Sequence, residues 1–305
     1  MQATVKSPVT VTGVGLHTGA LVRLVIRPAS AEHGIWFRRT DLQDHALVPA
    51  LWSAVERSPL CTKIVNDAGV SVSTIEHLMA ALAGCGVRNA IIDLDGPEVP
   101  ILDGSSAPFV RGILDKGLRF QRAATHALEI LTPVEVREGD AWARLEPSTG
   151  FAMDFGIEFT DAAIGRQHRT MELANGAFVH DLADSRTFCR QSDVDTMRAN
   201  GLALGGTLEN AVVVDGDRIL SPGGFRHGDE PVRHKMLDAV GDLSLAGAPI
   251  LGRYVGHRAG HGITNLLLRA LFADPRAFRM VECDPAMAAR LPGAGVTRAD
   301  ALTLH

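Results

Sequence analysis

The pattern of apolar and polar positions changes period twice along the chain. Between residues 9 and 65 it is short-range. Val9-Thr10-Val11-Thr12 alternates and is broken by Gly13-Val14-Gly15, Leu21 to Ile26 alternates around Arg23 up to Pro28, and Ile35 to Arg38 forms a further run. Such runs predict short strands joined by turns. From Ser73 the period becomes helical, with Ile75, Leu78, Met79 and Leu82 on one face. Thr74 or Ser73 is the expected N-cap, and Gly84 and Gly86 the expected stop. Ala90 to Leu94 reads as a buried strand, Gly96-Pro97 as a turn, and Pro108 to Lys116 as a second helix ending at Gly117.

Residues 118 to 127 carry mixed charge without a period, which places a domain boundary there. The order then repeats. Ala127 to Val136, Ala141 to Leu145 and Phe151 to Phe159 read as strands, Val232 to Leu245 as a helix, Pro249 to Val255 as a strand and Gly262 to Leu271 as a helix. Each half runs strands, a helix bearing a histidine, a strand and a helix. This predicts an α+β fold of two similar two-layer sandwiches from an old duplication, with domains at 1–122 and 127–305. An extra piece at 191–214 reads as helix, Gly-Gly turn and strand, and the tail at 274–305 has no readable pattern.

Composition narrows the function class. The chain has 305 residues, 46% of them apolar, enough for real cores. The net charge is −5 and neither half is basic, which argues against a nucleic-acid partner. The four cysteines are scattered without a C-x-x-C pair, which fits a reducing cytoplasm. No targeting segment opens the chain, and its apolar stretches fall short of the roughly 20 residues of a membrane span. A cytoplasmic, monomeric protein without a transmembrane segment is the expectation. The twelve histidines invite a metal or acid–base reading.

The strongest chemical signal is His234-Lys235-Met236-Leu237-Asp238. His234 and Asp238 are one helical turn apart on one face, opposite the Met236, Val240 and Leu243 stripe. Two donors at that spacing suit one divalent ion, and an ordinary solvated His–Asp pair is the alternative. On the other helix His77 points away from the apolar stripe, along Ala80, Ala81 and Gly84, small residues that admit a close neighbour. If the two helices pack together, His77 completes a His, His, Asp set with one position left for water. Glu76 then stands beside it as a base, the alternative being a surface Glu-His pair. His261, between Gly260 and Gly262, is a candidate second acid–base group or a plain loop histidine. Asp242, one turn beyond Asp238, would orient it or sit in water. Cys61 and Cys189 read as structural, and the glycine-rich Gly104-Ser105-Ser106 and Gly13-Val14-Gly15 as turns.

Six motifs in order resemble those of the UDP-3-O-acyl-N-acetylglucosamine deacetylases, the zinc amidases of Gram-negative lipid A biosynthesis. They are Gly13-Val14-Gly15-Leu16-His17-Thr18-Gly19, Arg38-Arg39-Thr40-Asp41-Leu42, Ser73-Thr74-Ile75-Glu76-His77-Leu78, Ile101-Leu102-Asp103-Gly104-Ser105-Ser106, Ser185-Arg186-Thr187-Phe188 and the run from Val232 to Leu243. The resemblance implies helices facing inward between the two sandwiches, with the active site at their interface. It implies one Zn2+, with Fe2+ the alternative ion, on His77, His234 and Asp238. Glu76 matches the general base, His261 the general acid, and Thr187 the hydroxyl at the oxyanion. Lys235 and Asp242 match polar groups beside the site, and Phe188 matches a wall. The insert matches an acyl passage, to which Val194, Met197, Leu202, Ala203 and Leu204 are assigned, with Leu60 and Cys61 near the substrate. His17 and Asp103 take structural or substrate-side roles, and Arg233 and Lys235 are candidates to meet a diphosphate. The implied partner is an acylated UDP-N-acetylglucosamine, whose lipid would bring the protein close to a membrane surface. A metal amidase with another substrate and a non-catalytic UDP-sugar or lipid binder are the rivals. His33, His45, His126, His168 and His305 have no assigned role.

Overall fold

The computed structural model describes residues 1–43 and 46–303; His45 and His305, two of the unassigned histidines, lie outside them. A five-stranded sheet comes from the first half. Its order is Val9–Val14, Leu21–Pro28, Ala90–Leu94, Ile35–Arg39 and Leu47–Pro49. Its one parallel pair is Ile35–Arg39 with Ala90–Leu94. The strand over Val9 does not stop at Gly13. It continues to Val14, where Gly13 and Val14 pair with Val22 and Leu21.

The second half builds a seven-stranded sheet around Ile250–His257. That strand runs parallel to Phe151–Glu158 on one side and antiparallel to Ala141–Pro147 on the other. The run expected as one strand from Ala127 to Val136 is two, His126–Ile130 and Val134–Glu138. Pro133, which has no N–H for a ladder, lies between them. The tail expected to be patternless contributes Phe278–Glu282, antiparallel to His126–Ile130, and Leu291 then packs on Ala127 and Leu251.

Helices α1 (Glu76–Gly84) and α2 (Ala107–Lys116) belong to the first half. Helices α3 (Gln191–Ala199), α4 (Glu230–Ser244) and α5 (His261–Ala273) belong to the second. In both halves the histidine-bearing helix leads into a strand with a parallel neighbour, so the repeat read from the sequence is present in the topology. The fold is α+β, with the helices turned inward and α1 packed on α4. The contact is close because Gly241 sits at it. A Cβ there would lie 2.1 Å from the Glu76 carbonyl oxygen. Every residue of α1 is buried, so neither end of this short helix meets solvent.

The start of α1 differs from the expected cap. Ile75 is the N-cap, and neither Ser73 nor Thr74 caps with its side chain. Thr74 adopts φ 57° and its hydroxyl donates to Glu98 Oε1 at 3.0 Å. Glu98 also accepts from His17 N, Thr18 N and the Thr18 hydroxyl at 2.7–2.9 Å. One buried carboxylate thus ties the Gly13 to Gly19 loop to the chain entering α1. No helix among the described residues is long and apolar enough to cross a membrane.

Candidate metal centre

The site lies where the first turn of α1 meets the middle of α4. Glu76, His77, His234 and Asp238 are each 3–5% exposed, so the solvated-pair alternatives do not describe them. His234 Nε2 is 3.3 Å and His77 Nε2 3.5 Å from Asp238 Oδ1, with the two rings edge to face at 5.0 Å. The three donor atoms lie within 4.8 Å of one another. Tetrahedral ligands at about 2.0–2.1 Å from a divalent ion stand about 3.3 Å apart, close to the distances of both histidine nitrogens from Asp238 Oδ1.

The hydrogen bonds around these donors point the same way. His234 Nδ1 lies 3.0 Å from the Ser185 carbonyl, an acceptor only, so Nδ1 carries the proton and Nε2 presents a lone pair to the cluster. Asp238 Oδ1 is buried without a hydrogen-bond partner, facing that lone pair. Two acceptors facing each other in a buried site repel unless a cation or proton lies between them. Burial outweighs the pull of Asp238 and takes His234 down to about 3, so this imidazole stays neutral, as a ligand must. Burial pushes the Asp238 carboxyl up, but attraction to the His234 and His77 rings and to the Lys235 ammonium outweighs it and holds the carboxyl well below the usual range. Lys235 Nζ donates to Asp238 Oδ2 at 2.7 Å, leaving Oδ1 for the cluster. A His, His, Asp set of this geometry fits a divalent ion.

Two further ionisable groups, Glu76 and His261, flank this set. Glu76 Oε2 accepts from Thr62 N at 3.0 Å, and Oε1 is 3.8 Å from His261 Nε2. Burial raises the Glu76 carboxyl, partly offset by His261 and His77. His261 is the first residue of α5 rather than the loop residue before it, and its Nδ1 is 2.8 Å from Asp242 Oδ2. Thr62 donates its hydroxyl to the other oxygen of Asp242. Burial lowers His261, but the charges of Asp242 and Glu76 more than reverse this and lift it to about 9. Glu76 and His261 therefore stand a few ångströms apart with both of their pKa values raised, the carboxyl chiefly by burial and the imidazole by neighbouring carboxylates.

A cavity of about 870 Å³ opens onto these groups, with Thr187, Phe188 and Leu60 in its wall. A side recess of about 300 Å³ continues from it under α3, lined by Val194, Met197 and Ala203. Leu202 and Leu204 line neither space and are substantially exposed at the turn. Cys61 lines a separate recess beside His261, its thiol pushed up to about 11 by burial and by Glu76. His17 reaches the side recess with both ring nitrogens buried and unpartnered. Asp103 accepts from Ser105 and Arg226, a structural role. Arg233 is not available to a diphosphate, because Asp229 and Asp181 hold its guanidinium.

Three supporting residues carry roles that the sequence did not assign. Thr62 serves both Glu76 and Asp242 from a position next to Cys61. Arg186 and Glu230 form a buried pair. Glu230 accepts from the Arg186 backbone N–H at 2.9 Å and from its guanidinium at 3.0 and 3.1 Å. That carboxylate, in the first turn of α4, fixes the loop whose Ser185 carbonyl orients His234. Nothing in the local spacing links residues so far apart in sequence. The placement of Glu230 four residues before His234, on the same helix face, is the signal that could have found it.

Comparison with known proteins agrees with this geometry. The family described as UDP-3-O-acyl N-acetylglycosamine deacetylase matches residues 2–273. A UDP-3-O-acyl-N-acetylglucosamine deacetylase of Shewanella frigidimarina is 48% identical over 96% of this chain and 98% of its own length. The enzyme of the same name from Phenylobacterium zucineum is 52% identical over 92% of this chain and 96% of its own. The match takes in α1 and α4, the cavity wall and the insert, and the chain belongs to the UDP-3-O-acyl-N-acetylglucosamine deacetylase family.

Proposed function

We propose that the protein hydrolyses the N-acetyl amide of UDP-3-O-(3-hydroxyacyl)-N-acetylglucosamine. The products are acetate and UDP-3-O-(3-hydroxyacyl)-glucosamine, the committed step of lipid A biosynthesis. The observation that carries this reading is the unpartnered Asp238 Oδ1 facing two histidine Nε2 atoms, with a raised carboxyl and a raised imidazole beside it. His77, His234 and Asp238 would hold the ion, Zn2+ in the first instance. Such an ion supplies Lewis acidity to the acetyl carbonyl and to the attacking water.

The chain's own groups do the rest. Glu76 takes a proton from water as its oxygen bonds to the carbonyl carbon. The Thr187 hydroxyl donates to the developing oxyanion, a contribution of several kcal/mol when preorganised. Protonated His261, held by Asp242, donates to the departing sugar nitrogen as the C–N bond breaks. Lys235 fixes Asp238 and adds positive charge near the oxyanion. Phe188 and Leu60 wall the substrate, and Val194, Met197 and Ala203 receive the acyl chain. A non-catalytic binder would have no use for this acid–base pair.

We also place the domain division at 122–127. In support, each sheet draws its strands from one side of it alone.

Metal analysis with an acetate-release assay tests the proposal. About one ion per chain and metal-dependent release are expected. Full activity of protein stripped of metal would overturn it.

A further inference from the structure

The far end of the α1–α4 pair has a second cavity that the proposed chemistry does not use. It measures about 230 Å³. Met79 and Leu82 of α1, Val240 and Leu243 of α4, and Trp36 form its apolar wall. A void of about 150 Å³ lined by such side chains stays dry and takes a ring of six carbons, so this one has room for a longer alkyl chain. Arg88 and His33 reach its lining, and no acidic residue does. The Arg88 guanidinium donates to the Pro292 carbonyl at 3.2 Å and has no carboxylate partner among the described residues. Burial draws it down to about 10. The half-buried guanidinium spends one donor on a backbone carbonyl, and an arriving carboxylate would take further donors through a paired, charge-assisted hydrogen bond.

We infer that this cavity binds a medium-chain aliphatic monocarboxylate, its alkyl chain between α1 and α4 and its carboxylate on Arg88. The occupant follows from the charge and shape of the lining. An apolar interior excludes sugars and nucleotides, and a lone guanidinium at a wall without carboxylates selects one anionic head. The site is separate from the recess under α3, with which it shares no lining residue.

Octanoate and 1-octanol titrated into the metal-loaded protein test this, by calorimetry and by the fluorescence of Trp36. Saturable octanoate binding is expected, with octanol at least tenfold weaker. Arg88→Met should weaken octanoate at least tenfold, leave octanol unchanged and leave turnover at the wild-type level. Ala203→Trp, which fills the recess under α3, should leave octanoate affinity unchanged. If Arg88→Met does not fold, Ala248→Leu, which adds bulk to the cavity wall, should abolish octanoate binding. The inference is overturned by absent octanoate binding, by equal affinity in Arg88→Met, by octanoate binding that survives in Ala248→Leu, or by loss of binding in Ala203→Trp.

Discussion

The two ends of the α1–α4 pair are built from opposite materials. At one end Glu76, His77, His234, Asp238 and Asp242 are buried together within a few ångströms. At the other, Met79, Leu82, Val240 and Leu243 are buried and form an apolar wall without an acidic residue. Burying ionisable groups opposes folding unless each is paired, whereas burying apolar side chains favours it. The far end therefore holds the helices together, and the near end uses that rigidity to keep donors at ligand spacing. Activity and stability should separate along the pair.

The sharpest break of this contrast is at the near end. Asp238→Ala should reduce bound metal from about one equivalent to almost none and lower acetate release by at least about 10³-fold. Without metal, loss of the carboxylate that pairs Lys235 should lower its melting temperature, offset in part by removal of the unpartnered Oδ1. Glu76→Gln should keep the metal and lose about 10²–10⁴ in kcat. Metal content, kcat and thermal melts on both variants check this. Unimpaired kcat in Glu76→Gln would remove that carboxylate as the base.

Leu82→Ala is the mirror experiment. Leu82 is 1% exposed, and its truncation should cost about 2–5 kcal/mol of stability. The folded fraction should still bind one metal and turn over within a few-fold of wild type. Denaturant melts set beside kcat per folded molecule decide it, and a loss of metal comparable to that in Asp238→Ala would show that the ends are not separable.

A weaker effect is expected one layer out. Glu230 holds the backbone and guanidinium of Arg186, next to the Ser185 carbonyl that orients His234. Glu230→Gln keeps the shape and loses the charge, so metal affinity should fall about 10–100-fold. Competition with a chelator measures it.

The near end was legible where spacing is local and illegible where it is not. The i, i+4 relation of His234 and Asp238 is a property of one helix, so sequence sufficed to pair them. That His77 joins them depends on a close helix crossing, which Ala80, Ala81 and Gly84 hinted at from α1. The crossing itself is made by Gly241 on α4, and Gly84 instead lies against Phe178. Thr74 was a natural cap by residue type, but the long-range bond to Glu98 took its hydroxyl. Arg166–Glu172, a strand absent from the sequence reading, alternates half-buried and exposed positions at the sheet's edge, where little apolar patterning is required. Val134–Glu138 merged with its neighbour because apolar character continues across Leu131 and only Pro133 marks the break. The acyl-side assignments divided in the same way. Val194 and Met197 are three apart on one helix and share the recess, whereas Leu202 and Leu204 sit on a turn whose side-chain directions no period predicts.

The smallest effect is a displacement on the pH axis. Glu76 must be ionised to act as a base, and its raised carboxyl sets an acidic limb above the usual carboxylate range. His261 must be protonated to act as an acid. With its folded value raised to about 9, that limb falls as pH rises through about 9. The profile should be a bell between these limbs. Since the pKa is higher in the folded than in the unfolded state, the Asp242 contact also stabilises the fold below about 6.5, and that gain is lost as pH climbs through about 9. Asp242→Asn removes the largest influence raising His261 while leaving an amide in reach of Thr62 and the ring. The alkaline limb should therefore move to lower pH while the acidic limb, governed chiefly by the burial of Glu76, moves much less. A kcat/KM profile from pH 5 to 10 on both proteins distinguishes this from general damage, which would lower the bell without shifting either side.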